Sequence, residues 1–265
     1  MFTLKKLASV LAVSLIVSAC STSSTGRQQI TLFADAELDK MGVQSFEQLK
    51  AQEKVYTHKP TNDYVKCVAD DIVKYVPTKA YSGTWEVVVF DSEQVNAFAL
   101  PGGKIGVYTG ILEVATTPDQ LAAIIGHEVG HVVERHSNER MSSSQLAQVG
   151  MQVADVALKS QNVQYSNEIM AGLGLGVQYG VLMPYSRAHE SEADIVGQQL
   201  MAKAGYNPSA AIDLWKNMAK LSKNSPPEFM STHPSNQTRI NHLNDNLINV
   251  NSIYQSAKKG SCKKA

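Results

Sequence analysis

The sequence has no excess of charge of either sign, few aromatic residues and few cysteines. Its 265 residues include 24 Lys and Arg against 24 Asp and Glu, and only 7% are aromatic. A neutral balance removes the electrostatic attraction to phosphates on which nucleic-acid binding depends, so we expect no nucleic-acid partner. The remaining composition, 43% hydrophobic and 18% charged, is typical of a globular protein long enough to bury a sizeable core.

The apolar run near the N-terminus is short. Lys5 and Lys6 precede apolar residues from Leu7 to Val17. A comfortable transmembrane helix needs about 20 apolar residues, which this run lacks. A short basic region, an apolar stretch and small residues before a cut are typical of an export signal. We therefore predict that residues 1–19 form a signal peptide.

Cys20 follows Ser18 and Ala19 directly and resembles the lipidated cysteine of a bacterial lipobox. Such a cysteine is diacylated and becomes the mature N-terminus; a plain signal peptide before a chance cysteine is the alternative. Ser21, rather than Asp, resembles the pattern of lipoproteins sent to the outer membrane. We expect a protein anchored through Cys20 at the periplasmic face of the outer membrane of a Gram-negative bacterium, with the polar residues 20–34 as a tether.

Two further cysteines, Cys67 and Cys262, lie far apart in the chain. In an oxidising periplasm they can form a disulfide that closes a long loop, and two free buried thiols are the alternative. The residues leave both possibilities open, and we favour the disulfide.

Secondary-structure patterns divide the chain into a mixed first half and a helical second half. They predict helices over 35–54 and 63–76, a strand over 85–90, and a hairpin of residues 96–100 and 104–108 around Pro101-Gly102-Gly103. From Thr117 onward the pattern is helical, with a break at Pro226–Pro227 before a last helix over 237–254. We predict one α+β domain, mainly α, over residues 35–265.

The helix that begins near Thr117 has strong start signals. Thr117 can be the N-cap, Pro118 suits the first helical position, and Gln120 completes a capping box. The residues from Leu121 to Glu134 are apolar almost all round the helix, which predicts a buried helix.

This helix contains the motif His127-Glu128-Val129-Gly130-His131. Two imidazoles four residues apart lie on one helix face and can bind a single Zn²⁺. Glu128 then lies beside the metal, where it can take a proton from a bound water. Histidines in an apolar helix also need a partner, because burying unsatisfied polar groups is costly.

A catalytic zinc needs a third protein ligand, and Glu190 is the candidate. Glu190 and Asp194 are four residues apart on a helix that ends near Gly205, so they share a face. The small Ala193 and Gly197 would let this helix approach the first one closely. Glu190 can then bind zinc while Asp194 accepts the N–H of a ligand histidine. A solvated helix charge is the alternative for Glu190, and the motif upstream favours the ligand.

Neighbouring polar residues have weaker assignments. We expect His189 and Glu192 to point elsewhere on the helix, at the surface or in salt bridges. Arg187 and Arg239 can serve a buried carboxylate or an oxyanion, and pairing on a helix surface is the alternative.

Four motifs together, NAFALPGG, HEVGH, SRAHESEAD and THPSNQTRI, carry a family resemblance. Over about residues 60–250 the chain resembles the gluzincin family that includes the CAAX prenyl proteases and HtpX, family forty-eight of the metallopeptidases. It most resembles the periplasmic lipoprotein branch, LoiP-like and BepA-like. The resemblance implies a zincin-like fold with a small β-sheet or hairpin packed on the HExxH helix. It also implies one Zn²⁺ per chain, bound by His127, His131 and Glu190, with Glu128 as the base.

Two further roles are implied by the resemblance. Asn96, Ala97, Phe98 and Ala99 would line the cleft as an edge strand for the substrate. His233 would lie on a loop from which it can occupy the open zinc position as a brake on activity; an ordinary loop histidine is the alternative.

These inferences indicate a zinc endopeptidase that cleaves unfolded or misassembled outer-membrane proteins in envelope quality control. Its partners would be unfolded or stalled proteins, and the membrane through Cys20. The alternatives are a chaperone-like assembly lipoprotein with a structural or locked zinc site, and an assembly factor that cleaves only stalled clients. An intact Glu128 disfavours a purely structural site, which has no use for a carboxylate beside the metal.

Overall fold

The computed structural model describes residues 20–161, 163–177, 183–221, 229–230, 233 and 237–264. Contacts divide the chain into two compact units. The sheet unit comprises Ala36–Glu134 and Ala188–Ala265, and the hairpin unit comprises Met1–Asp35 and Arg135–Arg187. The predicted signal peptide and the predicted break at Pro226–Pro227 lie outside the described residues. The domain boundaries proposed from the sequence stay predictions.

The described chain is mainly helical. In chain order its elements are β1 (Cys20–Thr22), β2 (Gln28–Ile30), α1 (Asp35–Gln52), α2 (Lys59–Val73), β3 (Glu86–Phe90), β4 (Ala97–Leu100), β5 (Lys104–Tyr108), α3 (Ile111–Val114), α4 (Pro118–Val133), α5 (His136–Ser160), α6 (Ser166–Val177), α7 (Met183–Lys203), α8 (Ala210–Leu221) and α9 (Gln237–Ser256). Within the described ranges, none of these helices combines the length and the apolar character needed to cross a membrane.

The sheet unit contains a three-stranded sheet of order β3-β5-β4, with β3 and β5 parallel and β4 and β5 antiparallel. Gly102 and Gly103, in the turn between β4 and β5, have φ of 82° and 68°, the left-handed region that favours glycine. The Gly102 N–H donates to the Asp39 carboxylate of α1 at 2.8 Å. The predicted strand and hairpin are confirmed, although β4 begins one residue after Asn96.

The two faces of this sheet pack against different neighbours. Ala97, Ile105 and Val107 are buried in the main core together with the apolar residues of α4, and β4 contacts α4 directly. On the other face, Phe98 packs edge-on against Phe46 of α1, with ring centroids 6.2 Å apart. Side chains of a strand alternate between faces, so one face of β4 is committed to α4. The predicted small sheet packed on the HExxH helix is confirmed.

Helix α4 begins as its start signals predict. The Thr117 hydroxyl accepts the Gln120 N–H at 3.2 Å, and Pro118 lies in the first turn. The Gln120 side chain accepts the N–H of Thr116 at 2.9 Å, one residue earlier than in the predicted capping box. Every residue from Gln120 to His131 is buried. The predicted buried helix is therefore confirmed.

Other helix boundaries differ slightly from the sequence prediction. Helix α2 begins at Lys59 rather than Asp63, because Pro60 lies in the first turn, where its missing N–H costs no hydrogen bond. Helix α7 ends just before Gly205, which has φ of 83° and stops the helix as predicted. Helix α9 extends to Ser256, two residues beyond the predicted end.

A disulfide holds the C-terminal segment of the sheet unit. Cys67 of α2 is bonded to Cys262, with Cα atoms 5.8 Å apart. Nearby, the Gly260 N–H donates to the Gly205 carbonyl at 3.1 Å. The favoured disulfide is therefore present, and it links two parts of the chain that are 195 residues apart.

In the hairpin unit, β1 and β2 pair in antiparallel fashion next to α5. Arg27 donates to both carboxylate oxygens of the buried Glu139 on α5, at 2.6 Å each. Asn138 of α5 accepts the Phe33 N–H at 3.3 Å and donates to the Phe33 carbonyl at 2.8 Å. Part of the segment 20–34, which we expected to be a tether, is thus a hairpin held against α5.

Candidate metal centre

Two imidazole rings project from the same face of α4. His127 and His131 are four residues apart, and both are buried. Their Nε2 atoms are 3.2 Å apart. Two ring nitrogens at this distance repel each other unless a proton or a cation lies between them. The pair is therefore suited to sharing a positive ion.

Helices α4 and α7 approach each other backbone to backbone. A Cβ added at Gly126 would lie 2.9 Å from the Gly197 carbonyl oxygen, and one at Gly130 would lie 2.9 Å from the Ala193 carbonyl oxygen. Such contacts leave no room for a side chain, so glycine permits this crossing. The small residues on α7 were identified from the sequence. Gly126 and Gly130 were missed, although their spacing of four on α4 is the matching signal.

The crossing of these helices places Glu190 of α7 beside both histidines. Its Oε2 lies 3.3 Å from His127 Nε2, and its Oε1 lies 3.5 Å from His131 Nε2. His233 lies on the same cluster, with Nδ1 3.1 Å from both Glu190 oxygens and 3.2 Å from His127 Nε2. Each of the four side chains offers one ligand atom, and these atoms all lie within 4.8 Å of one another.

The spacing of these ligand atoms fits zinc. Zinc bonds nitrogen and oxygen at about 2.0–2.2 Å in tetrahedral sites, so the ligand atoms of such a site lie about 3.3–3.6 Å apart. The separations within the His127–His131–Glu190 set and from His233 to His127 and Glu190 are 3.1 to 3.5 Å, and all four ligand atoms lie within 4.8 Å of one another. Two histidines and one glutamate are also a known ligand set of catalytic zinc. His127, His131 and Glu190 can therefore hold the ion, and His233 lies where a catalytic site has its open position.

Asp194 and Arg239 support this cluster. Arg239 of α9 donates to both oxygens of Asp194 at 2.7 Å, lies 3.0 Å from Glu190 Oε2, and stacks 4.0 Å above the Trp215 ring. Burial alone would raise the pKa of Asp194, but the charge and hydrogen bonds of Arg239 outweigh it and lower that pKa. An ionised Asp194 can only accept, so His127 donates its Nδ1–H to Asp194 at 2.9 Å. Nε2 of His127 is therefore the ring nitrogen that faces the cluster.

The formal charge of the buried groups is negative. Glu190 and Asp194 supply two carboxylates and Arg239 supplies one guanidinium, which gives −2 + 1 = −1, and an ionised Glu128 would make the sum −2; all four residues are buried. Burial disfavours a charged His127, yet hydrogen bonds to the Asp194 and Glu190 carboxylates outweigh it and raise its pKa to about 9. Uncompensated buried charge is costly, so the buried carboxylates favour a positive charge at the two histidines. A divalent cation would supply positive charge at this point.

Glu128 is buried beside the cluster but is not part of its ligand set. Burial raises the pKa of its carboxyl, and this is partly offset by the neighbouring His233 and His127 and by a hydrogen bond from the backbone of Ala99. Among the described residues, no group makes a hydrogen bond with its Oε1; His233 Nε2 is 3.4 Å away. A buried carboxylate oxygen without a partner is poorly satisfied by the protein alone. It is placed to bind the proton of a water at the metal.

In the described part of the chain, no strand pairs with the outer edge of β4, and the Ala99 backbone on this edge bonds Glu128. In the antiparallel pairing of β4 with β5, Tyr108 donates to the Asn96 carbonyl at 3.1 Å. Bonded and non-bonded pairs alternate, so the N–H and C=O groups of Ala97 and Ala99 point away from β5. Phe98 instead places its ring in the aromatic cluster on the other sheet face. Of the four predicted cleft residues, Ala97 and Ala99 thus turn their backbone groups outward, where the Ala97 N–H donates to Asn96 Oδ1 at 3.0 Å and the Ala99 backbone bonds Glu128. The role of all four in substrate binding stays a prediction.

The structure changes several weaker assignments. His189 and Glu192 are both buried, so the expectation of a surface position is wrong for each, while the alternative of a salt bridge stays a prediction. Arg239 is 2% exposed and binds two buried carboxylates, which excludes the alternative of pairing on a helix surface, whereas Arg187 is exposed. Cys20 lies in β1, and its lipidation stays a prediction.

Several known metalloendopeptidases and proteases have sequences similar to this chain. The chain is 35% identical over 195 residues to the mitochondrial metalloendopeptidase OMA1 of Schizosaccharomyces pombe, covering 71% of this chain and 54% of that protein. It is 37% identical over 174 residues to OMA1 of Bos taurus, covering 62% and 32%. It is 24% identical over 229 residues to the beta-barrel assembly-enhancing protease of Escherichia coli K12, covering 84% and 44%. The chain thus spans about half or less of the length of these relatives.

The family model for peptidase family M48 matches residues 59–247. This range contains the HExxH helix, Glu190 and every other side chain of the cluster. Peptidases of this family use a metal, typically zinc, which agrees with the donor set and the charge described above. The expectation of a family-forty-eight metallopeptidase is confirmed at the level of the family, while the lipoprotein branch stays a prediction. The chain belongs to peptidase family M48.

Proposed function

We propose that this protein is a zinc-dependent endopeptidase, held by a lipid on Cys20 at the periplasmic face of the outer membrane, that cleaves unfolded or misassembled outer-membrane proteins. The observation that carries the catalytic part is the buried, poorly satisfied carboxylate of Glu128 beside the His127–His131–Glu190 ligand set. A purely structural site has no use for such a carboxylate.

His127, His131 and Glu190 would hold the zinc. When bound, zinc supplies a Lewis acid that lowers the pKa of a water to about 7 and polarises a carbonyl oxygen. Glu128 accepts the proton of the attacking water and passes it to the leaving amine nitrogen. Asp194 keeps His127 in the tautomer that directs Nε2 to the metal, and Arg239 keeps Asp194 ionised.

The substrate would lie extended along the outer edge of β4. The outward carbonyls of Ala97 and Ala99 can accept from a peptide backbone, as in an added strand, while their N–H groups would first have to leave Asn96 Oδ1 and Glu128. Binding through backbone hydrogen bonds has little specificity for side chains and requires an extended segment of substrate. This mode of binding favours unfolded or misassembled proteins as substrates.

The envelope location rests on the sequence of residues 1–20. The export signal and Cys20 support lipid anchoring in the LoiP-like and BepA-like branch. The name of the Escherichia coli relative, a beta-barrel assembly-enhancing protease, supports outer-membrane proteins as clients. The OMA1 relatives are mitochondrial by name, so the location needs its own test.

The position of His233 favours a second candidate function, a chaperone-like assembly lipoprotein with a locked zinc site. With His233 as fourth ligand, a tetrahedral zinc in this cluster would have no open coordination position for water. In the protease hypothesis, His233 acts as a brake and leaves when substrate enters. His233→Ala separates the two, because a braked protease gains activity and a locked zinc protein shows no cleavage before or after the change.

Glu128→Gln tests the protease hypothesis. The variant should retain zinc but cleave casein or a denatured outer-membrane protein about 10²–10⁴-fold more slowly, because proton transfer by Glu128 is lost. The exposed Glu93→Gln is the matched control and should cleave at the wild-type rate. Cleavage by Glu128→Gln at the wild-type rate would refute the proposed base.

Lipid anchoring is tested separately. Cells given labelled palmitate should incorporate label into the wild-type protein and not into Cys20→Ala. Absence of label from both proteins would indicate a plain signal peptide and would leave the protease hypothesis intact.

A further inference from the structure

A stripe of branched apolar side chains faces solvent along α5. Leu146, Val149, Val153 and Val156 are 43%, 51%, 65% and 66% exposed. Their spacing of three, four and three residues places them within an arc of about 80° on one helix face. We call these four residues the apolar stripe. The buried residues of α5 all lie in its N-terminal part, from His136 to Ser142, so nothing in the described chain buries the stripe.

Helix α6 extends this apolar surface. It contacts α5, and none of its described residues is buried. Its exposed side chains include Ile169, Leu173 and Leu175. Contiguous apolar patches of this kind are uncommon on the free surface of a soluble protein and mark contact with an apolar partner.

The charge pattern of this region favours a lipid bilayer over a protein partner. From Met141 to Ser186, 46 residues, the chain has three charged residues, Asp155, Lys159 and Glu168, against 18% in the whole chain. Asp155 and Lys159 pair with each other at 2.8 Å. Protein interfaces usually have a polar rim that fixes the partner's orientation, and this region has few charges to form one. The lack of a basic cluster also favours neutral headgroups over anionic ones.

The proposed lipid site lies in the same compact unit as the stripe. Cys20 is in β1, and the β1–β2 hairpin is held to α5 by the two Arg27–Glu139 hydrogen bonds. The stripe begins at Leu146, seven residues after Glu139, or about 10 Å further along the helix. A lipid on Cys20 would therefore bring the stripe to the surface of the same bilayer.

We infer that the apolar stripe and α6 lie in the interface of the lipid bilayer that holds the Cys20 lipid. Amphipathic helices that lie in a bilayer interface bury their apolar face about 5–10 Å, to the boundary of headgroups and acyl chains. The lipid then provides one attachment and the stripe a second, and two attachments hold the hairpin unit in one orientation on the membrane. The inference rests on the proposed lipid anchor and goes beyond it.

The test uses the full, lipidated protein reconstituted into neutral phosphatidylcholine vesicles with brominated acyl chains, which quench tryptophan on contact. Val153→Trp places a reporter on the stripe, and Gln152→Trp places one on the adjacent polar face of α5. The native Trp85 and Trp215 give the same background in both proteins. After subtraction of that background, we expect brominated lipid to reduce the emission of the Val153→Trp reporter about twofold or more, and that of the Gln152→Trp reporter much less, at low and high salt alike.

The outcomes distinguish this inference from the lipid anchor. Protein that floats with vesicles but shows equal quenching at both positions would keep the anchor and overturn the inference. Protein that does not float at all would overturn both. Self-association that is lost in Val149→Gln/Val153→Gln, without quenching, would show that a second copy covers the stripe and would likewise overturn it. Cleavage of a soluble unfolded substrate at wild-type rate confirms that the reporter variants are folded.

Discussion

Helices α4 and α6 are both rich in apolar residues, yet their surroundings are opposite. In α4 every residue from Gln120 to His131 is buried, by β4, α2 and α8. In α6 no described residue is buried. An apolar pattern predicts that burial of a helix is favourable, but it does not predict which element will pack against that helix. Helix α4 is buried by the other elements of the sheet unit, and together they enclose the charged cluster around His127.

The glycines of the two regions show the same contrast. Gly126 and Gly197 meet at a helix crossing that no Cβ fits, whereas a Cβ added at Gly172 in α6 meets no atom within 4 Å. The same residue type is therefore a packing requirement in one region and a local weakness of the helix in the other. Substitutions in the sheet unit should be costly and matched substitutions in the hairpin unit nearly free, which the following predictions test.

The largest expected effect is that of Arg239→Met in the sheet unit. The variant leaves Asp194 and Glu190 buried without their cation, which should cost about 3–5 kcal/mol of the free energy of unfolding. Looser support of His127 should also weaken zinc binding about 10–100-fold. Urea unfolding and chelator competition measure the two effects. The exposed Arg140→Met on α5 is the control, and equal losses in both variants would break the comparison.

The disulfide should have the next largest effect. Cys67→Ser with Cys262→Ser removes a cross-link over 195 residues, and loss of such a bond costs about 2–5 kcal/mol. Urea unfolding of the double variant should match that of the reduced wild-type protein. If reduction leaves the unfolding midpoint of the wild-type protein unchanged, the bond contributes no stability.

The glycine pair should give effects of opposite sign. Gly197→Ala introduces a Cβ 2.8 Å from the backbone of Gly126, and such overpacking costs about 1–3 kcal/mol. Gly172→Ala adds a better helix former in open space and should stabilise by about 0.5–1 kcal/mol. Thermal unfolding of both variants measures the difference, and a gain in both would mean that the helix crossing is looser than described.

The smallest expected effect is that of Val153→Ala on the apolar stripe. In solution without lipid, the change should alter the free energy of unfolding by less than about 0.5 kcal/mol, because the side chain is exposed. Val129 in α4 is fully buried, and the matched change Val129→Ala should lower the free energy of unfolding by about 1–3 kcal/mol. A comparable loss at Val153 would show that the stripe is covered in solution.

Local parts of the fold were predictable because they depend on neighbours along the chain. The cap at Thr117, the hairpin turn at Gly102 and the stop at Gly205 each rest on a few adjacent residues. The surface position expected for His189 was wrong, because helical periodicity does not reveal which other faces of α7 are covered. The role of Arg239 could not be decided from the sequence for the same reason, because its partners Asp194 and Glu190 lie on another helix.

The sequence by itself determined the helix that carries His127, Glu128 and His131, since the spacing of four residues sets their common face whatever surrounds it. The motif also pointed to Glu190 and Asp194, but only the tertiary structure decided how these residues meet the histidines and which others join them. His233 lies 106 residues from His127, and Arg239 lies 45 residues from Asp194. Interactions along a helix reach about four residues, so contacts over such separations depend on packing, here on the glycines that let α4 and α7 meet.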